Sequence, residues 1–218
     1  MKTVTSKDDI PFDILRELHG EAERAKRRIK GLKPYVPKGG VGVEIGVFLG
    51  HFSKLALKHF KPVEFHLVDP WDKLYPENYP NWGAYTFFGR LPAKVAREFS
   101  EEFAQNEADC VRIFHGYSYE FYETIPDRSL DWIYIDGNHR YENVIRDLRG
   151  AFPKMKPDGV VIGDDYWENG SEKGHGVNLA LDELLPEIEY KLVLAGESQF
   201  VLLPEKISDE SVKNGVTK

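Results

Sequence analysis

The stretch VEIGVFLGHFS, Val43 to Ser53, carries the reading of the fold. Its first residues extend the alternation VGVEIG, which predicts a short strand with Glu44 late in it. From His51 the pattern HFSKLALKHF has the apolar spacing of a helix. Gly46 and Gly50 stand in the turn between, where a missing Cβ permits positive φ and close approach of the backbone to a ligand. The spacing is G-x-x-x-G. Val47 and Phe48 occupy places where a dinucleotide-binding loop would have glycine, so the G-x-G-x-x-G fingerprint is absent.

Outward from this unit the rhythm repeats. Strands are predicted in EFHLVD, CVRIFHG, LDWIYID and GVVIGDD, and helices in AKVAREFSEEFAQ, SYEFYETI, RYENVIRDLRGAFPKM and VNLALDELLPEI. Two last strands, YKLVLAG and QFVLLPE, flank Glu197-Ser198, a tight hairpin signal. Strands alternating with helices predict an α/β domain with a mostly parallel, doubly wound sheet, closed by an antiparallel hairpin at or near an edge. Upstream, Phe12, Leu15, Leu18, Ala22, Ala25 and Ile29 recur at helical spacing, and Pro34 and Pro37 end that helix. The expected organisation is a helical extension over 1–38, the main domain over 39–205 and a disordered tail over 206–218. The leading helix would pack on the domain, cover a ligand or join a homo-oligomer.

In open α/β sheets ligands bind beyond the carboxyl ends of the strands, where strand order reverses. The residues there are Glu44 to Gly46, Asp69, Gly116, Asp136 and Asp164-Asp165. Asp69 ends its strand 23 residues after Gly46, where an acid commonly holds a ribose diol; the plainer alternative is a cap before Pro70. Asp164-Asp165 raises its own question, because two adjacent carboxylates at the end of a core strand repel and resist burial. The segment 71–92 is crowded with aromatics, including Trp71, Tyr79, Trp82 and Phe88. It would form a lid or wall of an acceptor pocket, a small core of its own, or an oligomer contact.

Composition narrows the function. With 29 basic and 36 acidic residues the net charge is −7, which argues against a nucleic-acid-binding protein. The basic run RAKRRIK, Arg24 to Lys30, reads as the solvated face of the leading helix. The lone Cys110 forms no internal disulfide and reads as a small buried hydrophobe. No signal h-region or membrane-length apolar run is visible, so a cytoplasmic protein without membrane contact is expected.

Taken together, VEIGVFLGHFS, HLVDPW, IYIDGNHRYENVIRDL and KPDGVVIGDDYW resemble the class I S-adenosylmethionine-dependent methyltransferases. The likeness runs in order from about Val41 to Leu203. It is strongest to the metal-dependent O-methyltransferases of sugars and natural-product scaffolds, the macrocin and cephalosporin-cluster type. The resemblance implies a Rossmann-like, seven-stranded sheet with a reversed final hairpin. It implies that Glu44, Gly46 and Gly50 face the amino-acid part of the methyl donor and Asp69 its ribose. Gly116, Tyr117 and Ser118 would form the adenine edge, with Asp136 also near the cofactor. Asp136, Asp164 and Asp165 match the acidic ligands of a divalent metal.

A metal would also answer the carboxylate question. A hard ion, magnesium by preference, takes carboxylate oxygens and leaves positions for two oxygens of a hydroxylated small-molecule acceptor. His139, three residues after Asp136, is then either the general base, with an unperturbed pKa of ~6.5, or a residue at a helix N-terminus. Some relatives carry an acid where this chain has Asn138. The leading expectation is metal-assisted O-methylation, with Asp136 and His139 catalytic. Its alternatives are a metal-independent N- or O-methyltransferase, a nucleotide-binding oxidoreductase, or a non-catalytic module of the same fold.

Overall fold

A computed structural model of the chain describes Val4 and residues 6–73, 90–167 and 175–205. Seven strands form one sheet: β1 Val41–Ile45, β2 Glu64–Asp69, β3 Val111–His115, β4 Leu130–Ile135, β5 Met155–Gly163, β6 Tyr190–Leu194 and β7 Phe200–Pro204. Their order is β3-β2-β1-β4-β5-β7-β6. Strands β1 to β5 pair in parallel, and β7 runs antiparallel between β5 and β6. The fold is therefore the expected Rossmann-like one, with the reversed strand one place in from the edge.

Among the described residues six α-helices flank it: α1 Phe12–Leu32, α2 His51–Phe60, α3 Ala93–Asn106, α4 Ser118–Tyr122, α5 Tyr141–Ala151 and α6 His175–Leu184. Apolar residues of α1, α2 and α3 pack with one face of the sheet, around Phe65, Trp132 and Ile162. Residues of α4, α5 and α6 pack with the other, around Val43, Ile133 and Val161. Both faces being covered, the central strands must be apolar on both sides, which is why β4 and the end of β5 read as continuous hydrophobic runs. Fully burying each such side chain stabilises the fold by about 1.5–3 kcal/mol.

Three local readings change. The α-helix predicted through Met155 ends at Ala151: Phe152–Lys154 tighten into a 3-10 turn, and Met155 begins β5, pairs with Leu130 before a register shift and is buried. The apolar stripe of α1 is rotated from the expected one. Ile14, Leu18, Ala25, Ile29 and Leu32 are buried, while Phe12 is 81% and Leu15 48% exposed. The basic run on that helix is not wholly solvated, since Arg28 is only 6% exposed. Most of the aromatic segment, 74–89, and the tail from 206 lie outside the described residues. The hairpin signal holds: Glu197 and Ser198 both take positive φ, and the Gln199 N–H donates to the Gly196 carbonyl at 2.9 Å.

Candidate active site

Strand order reverses between β1 and β4, and the loop leaving β1 lies against the loop leaving β4. Gly46 has φ 87° and a Cβ there would stand 2.1 Å from the Asp136 carbonyl oxygen. Its N–H donates to the Val68 carbonyl at 2.9 Å. The turn then passes through Phe48 at φ 50° to Gly50, the left-handed residue before α2.

Asp69 holds this turn. One carboxylate oxygen accepts from the N–H groups of Val47 at 2.8 Å and Phe48 at 3.0 Å, and the other from Trp71 at 2.6 Å. The Phe48 carbonyl in turn accepts from the Trp71 indole at 2.9 Å and from the Ser100 hydroxyl at 3.0 Å. Asp69 is buried; desolvation raises its pKa against the lowering effect of these three N–H donors. The carboxylate expected on a ribose is thus engaged in shaping the loop, closer to the capping alternative. Glu44 is also buried, accepts from Ser53 at 2.6 Å, and has its pKa pushed well up by desolvation. It faces the start of α2.

Beyond β3, the Gly116 N–H donates to the Asp69 carbonyl at 3.1 Å, joining the ends of β2 and β3. Tyr117 caps α4 with Glu120, whose carboxylate accepts its N–H at 2.8 Å, and its ring stacks on Tyr119 at 5.3 Å. Ser118 donates to Asp147 of α5 at 2.5 Å. Burial raises the Asp147 carboxyl to about 6, against the lowering effect of that bond. Asp147 escaped the sequence reading because its position in α5 looks like one more polar residue.

The three aspartates do converge. Asp136 follows β4, with its N–H on the Ile45 carbonyl at 2.8 Å; Asp164 follows β5, with its N–H on Ile135 at 3.1 Å. What stands among them is cationic side chain. The Arg28 guanidinium donates to Asp136 Oδ2 at 2.8 Å and, through its other terminal nitrogen, to Asp164 Oδ2. The second oxygen of Asp164 accepts from the amide of Gln199, a buried residue at the foot of the hairpin. Arg24, one turn before Arg28, lies 3.5 Å from Asp164 and 3.7 Å from Asp165. His139 Nδ1 is 2.8 Å from Asp165, and its Nε2 is 3.3 Å from Asp136, near enough for charge pairing but not aligned as a hydrogen bond.

Three carboxylates thus meet two guanidinium groups and an imidazole. Among the described residues no group of three or more acidic, histidine or cysteine side chains is arranged to hold a metal ion. The expected divalent site does not fit this arrangement, because Arg28 bridges the oxygens that would ligate the ion. Only the burial of Arg28 had a signal in sequence, since it falls on the same helical stripe as Ala25, Ile29 and Leu32.

His139 also departs from the expected base. Although burial disfavours its charge, Asp136 and Asp165 together raise it to about 9. Near neutrality it is an imidazolium with no lone pair to accept a proton. A histidine whose folded pKa exceeds its ordinary 6.5 contributes stability that is fully present below about pH 6.5 and lost as pH rises through about 9. Urea unfolding at about pH 6 and about pH 10 is expected to differ by up to ~3 kcal/mol from this group. His139→Gln should flatten that difference; an unchanged profile would show that the imidazole is not paired as described.

Beside His139 lies a cavity of about 460 Å³, lined among others by Asn138, Tyr141, His175 and Leu179. The loop 136–139 therefore touches the glycine turn at one end and this cavity at the other. His175, expected in a loop, begins α6.

A reversed-strand α/β sheet with a glycine turn at its switch point defines the architecture of a class I methyltransferase. The chain belongs to the methyltransferase-domain family, whose model matches residues 43–166, more than half its length. It is an S-adenosylmethionine-dependent methyltransferase, and the oxidoreductase alternative falls with that membership. None of the curated proteins matches the chain in sequence.

Solved structures share the fold. A Corynebacterium glutamicum protein superposes with a TM-score of 0.58 at 11% identity, covering 92% of each chain. A Staphylococcus aureus protein assigned as a caffeoyl-CoA O-methyltransferase gives 0.56 at 15% identity, covering 89% of this chain and 92% of that one. A SAM-dependent methyltransferase from Aquifex aeolicus gives 0.52 at 14% identity, covering 80% and 87%. No described helix is long and apolar enough to cross a membrane.

Proposed function

We propose that the protein transfers the methyl group of S-adenosylmethionine to an oxygen of a small hydroxylated molecule seated in the cavity beside His139. The observation that carries the proposal is the continuity of the loop 136–139, which abuts the Gly46 turn and also lines that cavity. The cofactor, when bound, supplies a sulfonium-activated methyl group. The turn Gly46 to Gly50 would hold its amino-acid part, and Gly46, carrying no side chain, lets that turn lie directly against the loop leaving β4. Gly116 and Tyr117, at the end of β3, would border its adenine.

The remaining work falls to this chain's own residues. Methyl transfer is an in-line displacement, so holding acceptor oxygen and methyl in line supplies much of the catalysis. His139 is held between Asp136 and Asp165 and lines the cavity; as an imidazolium it would position the acceptor electrostatically rather than take its proton. Divalent-metal assistance, expected from the carboxylates, is left out of the proposal, because Arg28 and Gln199 engage the oxygens it would need. The S. aureus neighbour assigned as an O-methyltransferase is compatible with an oxygen acceptor.

The test begins with calorimetric titration of the purified protein with S-adenosylmethionine, for which saturable micromolar binding is expected. Hydroxylated acceptors are then screened by methyl transfer with and without EDTA. Turnover of amines but no hydroxyl compound would overturn the oxygen acceptor. Absence of cofactor binding would remove the proposal altogether.

A further inference from the structure

We infer that Arg28 is the resident counter-ion of Asp136 and Asp164, and that α1 thereby fills with its own side chain the position a divalent cation would take. The helix is then a structural part of the site rather than an appendage to the domain.

The inference starts from an imbalance. Asp136 and Asp164 close adjacent strands, β4 and β5, so parallel pairing alone brings their side chains together. Asp164 is 2% exposed, too deep for water to screen the repulsion. Either the carboxylates take up protons or a cation joins them. Arg28 joins them from a helix more than a hundred residues upstream. It is itself 6% exposed, so its charge is as much in need of the aspartates as theirs is of it.

The chemistry of guanidinium suits the task. Its donors lie in one plane in a rigid fork, so two terminal nitrogens reach two carboxylates at once. One donates to Asp136 and the other to Asp164, and the pair of strand ends is bridged. Gln199 engages the opposite oxygen of Asp164. Arg24 adds a second positive charge on the same helix face, one turn away, and the His139 imidazolium a third. Three negative and three positive groups leave the cluster neutral. A divalent ion entering it would meet the guanidinium of Arg28 at contact distance. It would also compete for oxygens that already accept hydrogen bonds, while Mg²⁺ requires near-octahedral oxygen geometry and holds its water tightly.

The consequence is specific to Arg28. Removing its charge while keeping the three aspartates leaves a carboxylate cluster in need of a cation, and a divalent ion then becomes the available one. The inference does not depend on the proposed acceptor, because it is read by metal binding and by melting temperature, not by turnover.

The experiment compares the full-length wild type with Arg28→Met by Mn²⁺ calorimetry and by thermal melts with EDTA, MgCl₂ or MnCl₂. The wild type is expected to show no saturable Mn²⁺ binding and the same Tm in EDTA and in either metal. Arg28→Met is expected to melt lower, to regain part of that loss with millimolar MnCl₂, and to bind Mn²⁺ at least ~10-fold more tightly than the wild type. Should Arg28→Met not fold, Arg28→Gln, which keeps amide donors and loses the charge, carries the same measurement. Stoichiometric Mn²⁺ binding by the wild type that Asp164→Asn removes would overturn the inference. So would a charge-less variant whose Tm does not respond to Mn²⁺.

Discussion

Gly46→Ala is expected to lower the affinity for S-adenosylmethionine by at least ~100-fold, about 2.7 kcal/mol. The added Cβ would lie 2.1 Å from the Asp136 carbonyl oxygen and 2.8 Å from the Gly137 nitrogen. Both are backbone atoms, so no side-chain rotation relieves the clash. The β1 and β4 loops must separate at the point where the cofactor is expected to sit. Gly46 also has φ 87°, which costs any L-residue about 1–2 kcal/mol. Gly39→Ala separates the two effects. Gly39 has φ 81° but nothing within 4 Å of an added Cβ, and it precedes β1, at the end of the strand away from the site. It should lose stability alone and keep cofactor affinity. Calorimetry with both variants checks this; an alanine at 46 with wild-type affinity would show that the turn is not the cofactor's seat.

Asp164→Ala is expected to destabilise the fold by about 3–5 kcal/mol, the usual consequence of removing one partner from a buried ion pair. Arg28 would keep its charge with one acceptor lost, and the Gln199 amide would lose the carboxylate it donates to. For a chain of this length that corresponds to a fall in Tm of roughly 10 °C. Asp165→Ala should cost much less, because Asp165 has 19% of its side chain exposed and pairs closely with His139 only. The double variant Arg28→Met, Asp164→Leu should recover only part of the loss, since the apolar pair needs no counter-charge but Asp136 keeps its charge and loses Arg28. Denaturant unfolding of the variants checks the order. A loss below ~1 kcal/mol for Asp164→Ala would mean that the Arg28 pairing contributes little to folding.

These two expectations draw on information of different kinds. The place of Gly46 was legible in the chain, because a strand pattern ending in glycine before a helix pattern is a local signal. The same holds for the seven strands, five main-domain helices and the terminal hairpin, where period, length and turn residues agree. The position of the three aspartates was legible as well: each ends a strand, and the parallel order carries them to one edge. The S-adenosylmethionine-dependent reading rested on the resemblance of four ordered motifs around those strand ends to a known family.

The partners of the aspartates were not legible. Arg28 and Asp164 are 136 residues apart, and no local pattern selects a guanidinium over a metal as the answer to crowded carboxylates. The same limit applies to Asp69, whose three N–H donors come from a loop 21 and 22 residues upstream and from Trp71 just beyond it. It applies to Gln199, brought to Asp164 by the hairpin, and to His139, where the pKa depends on two carboxylates on separate loops. Period and turn chemistry act over a few residues and are written in the order of the chain. Charge compensation acts through space and is decided only when α1 packs across the sheet and sets its arginines against the ends of β4 and β5.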